Sequence, residues 1–168
     1  MDGPRQLDHL TEGRLDIAFI VNAMRYPVGI SAMIVERQGV MIASPSGHRL
    51  AASDPIAHAM LADESFIAPV FEALSNFPSP ATLGLHGKIA VRVIDRAPDS
   101  FTFLALVASG VGIAVVPQSW SCLKVPGVVY RSISPPAKPV EFAVAFRRDE
   151  RAPAVKAFIQ HARSYRLS

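Results

Sequence analysis

In this 168-residue sequence, the run Asp99-Ser100-Phe101 has the residue types and spacing best suited to chemistry. An acidic residue and a serine directly before an apolar stretch mark a helix start. The unpaired N–H groups of such a first turn, together with the helix dipole, suit a carboxylate or another anion. A plain cap without ligand accounts for the same residues, and the charge of Asp99 itself opposes an anion. Pro98, with Ala97 before it, would shape the adjoining wall in either case.

Further candidates lie where apolar runs end. Phe19 and Asn22 stand at the carboxyl end of the run from Leu15 to Val21, Pro69 and Phe71 end the run from Ser65, and Val116 and Pro117 end the run from Ile113. Ligands of α/β proteins collect at the carboxyl ends of parallel strands. Asn22 has the polar group to orient a ligand and serves equally well as a turn asparagine. Phe71 suits a core position as well as a ligand platform. The apolar character of the set favours a ligand with a hydrophobic or aromatic body and one acidic group.

Other chemistries lack their parts. Gly110-Val111-Gly112 follows a helical stretch and precedes a strand, whereas a dinucleotide loop follows a strand, opens a helix and needs a third glycine. Helix termination and close packing explain the pair. No Gly-x-Ser-x-Gly elbow occurs, and Cys122 reads as a small buried hydrophobe. His9, His48, His58, His86 and His161 show no metal-ligand spacing. Asp63-Glu64 and Asp149-Glu150 look like solvated turns rather than an acid and base pair. Arg147-Arg148 with Arg151 reads as a solvated strand end that could reach an anion or a partner. Neither a reaction, a metal nor a cofactor is expected.

The elements that must position these residues follow from periodicity. Leu7 and Leu10 before Gly13 give a short helix, and Leu15 to Val21 a parallel strand covered on both faces. Ile30 to Val35 and Val40 to Ala43 read as a hairpin-like pair around Gly39. Asp54-Pro55 is expected to open a helix through Leu61. Strands follow at Ser65 to Val70 and Ile89 to Ile94, the latter after the loop glycines Gly84 and Gly87. After Asp99 comes a helix with Phe101, Leu104, Ala105 and Ala108 on its apolar face, closed by Gly110. Ile113 to Val116, a turn at Ser119 to Leu123, Val128 to Tyr130 and Val140 to Arg147 come next. A last helix starts near Pro153, with Val155, Phe158, Ile159 and Ala162 forming its stripe. Alternating helices and apolar strands indicate an α/β fold with a mostly parallel sheet.

Composition agrees with that class. At 50% hydrophobic residues the chain can bury a sizeable core, and its surplus of three positive charges, spread along the chain, is no phosphate-neutralising stripe. The single cysteine requires no oxidising compartment, and no apolar run reads as a signal or a span. Cytoplasmic location without membrane contact is expected.

Several segments in order carry a resemblance. LTEGRLDIAFI (Leu10 to Ile20), SPSGHRLA (Ser44 to Ala51) and FTFLALVASGVGIAVVP (Phe101 to Pro117) resemble the effector-binding domain of LysR-type transcription regulators, as do GVVYRSI (Gly127 to Ile133) and EFAVAFRRDE (Glu141 to Glu150). Together they extend over nearly the whole chain. The resemblance implies a two-lobe, periplasmic-binding-protein-like (type 2) fold with crossing hinge strands and an effector cleft. Residues 1–43 and 142–168 would form lobe I and residues 44–141 lobe II. It also implies a small-molecule effector, dimerisation, and DNA contact only through a winged helix-turn-helix that these residues do not include. Leu7/Leu10 and Val155/Phe158 are candidate dimer faces. The first strand and helix of lobe I are expected to be missing, and with them part of the effector site. Rival readings are a solute-binding protein of a transport system, opposed by the lack of a signal peptide, an enzyme on the same scaffold, and a truncated regulator acting only by dimerisation.

Overall fold

The computed structural model describes residues 3–23, 25–70, 77–83 and 92–164. In chain order these form α1 (Gly3–Thr11), β1 (Ile17–Val21), β2 (Ile30–Gln38), β3 (Val40–Pro45), β4 (Ile56–Ala57), β5 (Ser65–Pro69) and β6 (Arg92–Ala97). There follow α2 (Ser100–Ala108), β7 (Ile113–Pro117), β8 (Val128–Arg131), β9 (Ile133–Ser134), β10 (Val140–Arg147) and α3 (Pro153–Ser164). Short 3-10 turns occupy Arg49–Ala52, His58–Leu61, Pro80–Leu83 and Gln118–Leu123. Phe71 lies outside the described residues, as do Gly84, His86, Gly87 and the start of the strand expected from Ile89. No described helix is long and apolar enough to cross a membrane. The chain divides into two compact units, one of described residues 3–37 (without 24), 77 and 140–164, the other of residues 38–70, 78–83 and 92–139.

The first unit is a three-stranded sheet in the order β1-β10-β2. β10 takes the middle because it is apolar on both faces: Ala145 meets Leu7 and Leu10 of α1 together with Ala18, Ile20 and Ile30, while Val144 and Phe146 meet Val155 and Ile159 of α3. The candidate dimer faces are therefore corrected. Leu7, Leu10 and Val155 are buried within the chain, and Phe158 alone of the four stays partly exposed. β1 also differs from expectation, for it runs antiparallel to β10, with Ile17 opposite Phe146 and Val21 opposite Phe142. It is an edge strand among the described residues, and Phe19 is 62% exposed. A continuous apolar run does not distinguish parallel from antiparallel pairing.

No hairpin joins Ile30–Val35 to Val40–Ala43. β2 continues through Gln38 in one sheet and β3 belongs to the other. Gly39 is absent from the positive-φ residues, so it does not adopt the left-handed backbone of a two-residue hairpin turn. Its role is close approach, since a Cβ there would meet Gln118 Oε1 at 3.2 Å.

The second unit is a five-stranded sheet, β6-β5-β7-β3-β8, with a β4-β9 ribbon. It is mixed rather than mostly parallel: β6, β5 and β7 run parallel, and β3 runs antiparallel to β7 and β8. α2 connects β6 to β7 and packs Phe103, Leu104 and Val107 onto Ala43, Ile67, Ala97, Ala114 and Val116. The small residues let the helix lie close. Of the stripe expected for this helix, Leu104 alone is buried, because the helix turns Phe103 and Val107 inward and leaves Phe101 84% exposed. On the opposite face Ile42, Leu50, Ile56, Leu61, Phe66 and Leu83 form a second core.

Asp54-Pro55 opens no helix. The Asp54 carboxylate accepts from the backbone N of Ser132 at 3.0 Å and from its hydroxyl, and β4 and a 3-10 turn follow. Those bonds, the hydroxyl's first, hold its carboxyl below the usual range. Glu64 is no solvated turn residue either. It is buried, 2.6 Å from Arg49 Nη2 and 3.3 Å from His48 Nε2. His48 Nδ1 accepts the Leu50 N–H, which assigns the ring proton to Nε2, facing Glu64. Glu150 likewise pairs with Arg147 at 2.6 Å, and Cys122 is exposed rather than buried. Periodicity reports the face of a regular element, and these residues sit in turns that have none.

Candidate functional site

Within the second unit, the parallel strands bring most of the sequence-predicted positions to one edge. Pro69 pairs with Ala97 at the ends of β5 and β6. β5 and β7 pair at Phe66 with Ile113, and the same register carries Val116 and Pro117 to that end. Because α2 starts directly after β6, Pro98, Asp99, Ser100 and Phe101 stand there too. Their availability differs. Pro69, Val116 and Pro117 are buried, Val116 in the core under α2, while Pro98, Asp99 and Phe101 are exposed.

Asp99 is the N-cap of α2. Its Oδ1 accepts from Phe101 N at 2.9 Å and Thr102 N at 3.0 Å, and its Oδ2 accepts from Thr102 Oγ1 at 2.8 Å. The Thr102 amide above all holds this carboxyl below its ordinary range. The donors that an anion would use at this helix start already serve Asp99.

A cation at the same edge escaped the sequence reading. Arg96 Nη1 donates to Pro69 O at 3.1 Å, which sets its guanidinium at the carboxyl ends of β5 and β6. The available signal was a basic residue closing a strand just before a helix cap. Val70, 54% exposed, adds apolar surface there, and its N–H is fixed on Ala97 O at 3.1 Å. The edge thus carries an exposed aromatic ring, an exposed aliphatic side chain and the Arg96 guanidinium, which serves the Pro69 carbonyl.

The two candidates of the first unit separate. In a strand, odd and even positions face opposite sides. Phe19 turns to α3, its ring edge-on to Phe158 with centroids 6.1 Å apart. Asn22 makes a network of its own. Its N–H and Nδ2 donate to Glu141 O and Oε2, both at 2.8 Å, and its Oδ1 accepts from Tyr26 OH at 2.8 Å. Arg37 Nε donates to Glu141 Oε1 at 2.9 Å. Burial raises the Tyr26 hydroxyl pKa. Among the described residues, no group of three His, Cys, Asp or Glu is placed to hold a metal ion.

Residues 1–166 match the family model described as LysR substrate binding domain. The chain is 29% identical over 160 residues to the HTH-type transcriptional regulator BudR of Raoultella terrigena, covering 90% of this chain and 52% of that protein. It is 33% identical over 116 residues to the HTH-type transcriptional regulator CatR of Pseudomonas putida, covering 68% and 39%. The chain spans about half the length of the first of the curated relatives it matches. Its fold is similar to the effector binding domain of QuiR in complex with shikimate, with a TM-score of 0.83, 21% identity, and coverage of 99% of this chain and 78% of that one. It is similar also to CbnR, a LysR family transcriptional regulator, with a TM-score of 0.82 and 21% identity, covering 100% and 58%.

Proposed function

Since the chain belongs to the LysR substrate-binding domain family, we propose that it is the effector-sensing part of a transcription regulator and that it binds a small carboxylic acid without transforming it. The observation that carries this reading is the edge of the second unit, where Phe101 is 84% exposed at the start of α2 and Arg96, at the end of β6, donates to the Pro69 carbonyl. An aromatic ring left in water at a sheet edge that also carries a guanidinium suits a ligand with an apolar body and one carboxylate. Of the ten positions picked out in the sequence, Phe101 is the one proposed to touch the ligand directly, and Pro98 flanks it. Pro69, Val116 and Pro117 act from behind as the rigid wall. Asp99 fixes the helix start and Ser100 follows it. Phe19 and Asn22 belong to the first unit, where Asn22 holds Glu141 and Tyr26 in place.

The relatives named above are HTH-type regulators. The reading therefore assigns DNA contact to a helix-turn-helix domain outside these residues, places the protein in the cytoplasm, and includes self-association to a dimer. Sedimentation of the purified chain checks the last point.

The decisive experiment is a thermal unfolding screen of small aromatic and aliphatic carboxylic acids. A true ligand at a hundred times its Kd stabilises the chain by about 2.7 kcal/mol. Phe101→Ala and Arg96→Gln should each erase most of that shift while leaving unliganded unfolding nearly unchanged. If no acid raises the midpoint, or if both variants respond like the parent, the reading fails.

A further inference from the structure

The positive charge of the chain is not evenly spread, which corrects the expectation drawn from composition. Of the 17 basic and 14 acidic residues, six and two respectively fall in residues 147–168, so the remainder carries eleven against twelve. This last stretch of sequence therefore holds the entire surplus.

In the structure four of these basic residues help to line a hollow of about 200 Å³ in the first unit, formed by Arg147, Arg148, Lys156, Gln160 and Arg163 with Glu150, over a floor of Phe146 and Ile159. Lys156, Gln160 and Arg163 share one face of α3 because they are spaced i, i+4 and i+7. The charges around the hollow have different commitments. Arg147 is compensated: it donates to Asp16 Oδ1 at 2.7 Å, to Glu150 Oε2 at 2.6 Å and to the carbonyls of Leu10 and Leu15. Glu150 is occupied as well, by Arg147 and by the N–H groups of Arg151 and Ala152, both at 2.8 Å. Arg148 reaches a neutral group, Ser31 Oγ, at 3.4 Å. Among the described residues no carboxylate pairs with Arg148, Lys156 or Arg163.

We infer that this hollow is an anion site, separate from the edge of the second unit, and that it takes a compact phosphate group. Arg148, Lys156 and Arg163, gathered round one concavity without a carboxylate of their own, repel one another, and a multivalent oxyanion removes that repulsion while accepting several charge-assisted hydrogen bonds. The volume exceeds a water's share of about 30 Å³ several times over, enough for a phosphate with its bridging water. A local concavity in place of an extended stripe favours a small phosphorylated molecule over a nucleic-acid backbone.

Calorimetric titration of the purified chain with inorganic pyrophosphate tests this, at constant ionic strength and with sodium chloride as the control. Saturable binding is expected, weakened about tenfold or more in Lys156→Gln/Arg163→Gln, since charge-assisted bonds are lost. Both side chains lie on the solvent face of α3, so the double variant should fold and melt like the parent. Phe101→Ala should bind pyrophosphate normally, which separates failure here from failure of the proposed acid site. Absence of saturable binding, equal affinity in the double variant, or preference for random-sequence duplex DNA over pyrophosphate at matched phosphate concentration would each overturn the assignment.

Discussion

Asp99 shows how one residue can be legible in type and ambiguous in purpose. Its position before an apolar run identifies a helix cap from sequence alone, and the structure fills its carboxylate with two amides and a hydroxyl. Asp99→Ala should lower the thermal midpoint and fray the start of α2, seen as faster amide exchange at Phe101 and Thr102, and Asp99→Ser should recover most of the loss. Arg96 was not legible, because a charged residue in an exposed strand has no periodic partner to betray it. What gives it meaning is the Pro69 carbonyl, distant in sequence. The Asn22 and Glu141 pairing is hidden for the same reason, being separated by most of the chain.

At the scale of elements, the glycines of the segment joining α2 to β7 were read correctly as termination and close packing. Gly110 has φ +83° and ends the helix region. At Gly112 a Cβ would stand 2.6 Å from the Ser65 carbonyl oxygen, which belongs to backbone and cannot move aside. Gly112→Ala should therefore destabilise the chain by about 1–3 kcal/mol through overpacking, measured by urea unfolding, and a neutral result would contradict the packing described. Leu104, 2% exposed between α2 and the sheet, should cost about 2–5 kcal/mol on truncation to alanine. Strand positions were read well because apolar runs bounded by glycine and proline are a local signal. Pairing direction is not a local signal: the antiparallel β1 and the absence of a hairpin at Gly39 follow from partners far along the chain.

For the molecule as a whole, several carboxylates act in one direction with pH. Asp54, Asp99 and Glu150 all have lowered pKa values, from the Ser132 hydroxyl, the Thr102 amide and the Ala152 amide respectively. A folded-state pKa below the unfolded one stabilises the protein above the unfolded value, roughly 4, and that stability disappears as the pH falls further. Tyr26 and Tyr130, raised by burial, act oppositely at the alkaline end, where stability falls as pH rises through about 10. Denaturant midpoints measured across pH should form a plateau between these limits, and Asp99→Asn should flatten part of the acid slope. The α/β class and family were legible because five ordered segments lie along the chain, whereas the way the units are assembled was not. The first unit closes around β10, its middle strand, which is encoded after all of the second unit. During synthesis, at about 5–20 residues per second, the second unit is therefore complete on the ribosome while α1, β1 and β2 still wait for the strand between them. α1, β1 and β2 are thus made before the second unit and meet their native neighbours only after it, so β1 and β2 spend that interval without the strand they both pair with.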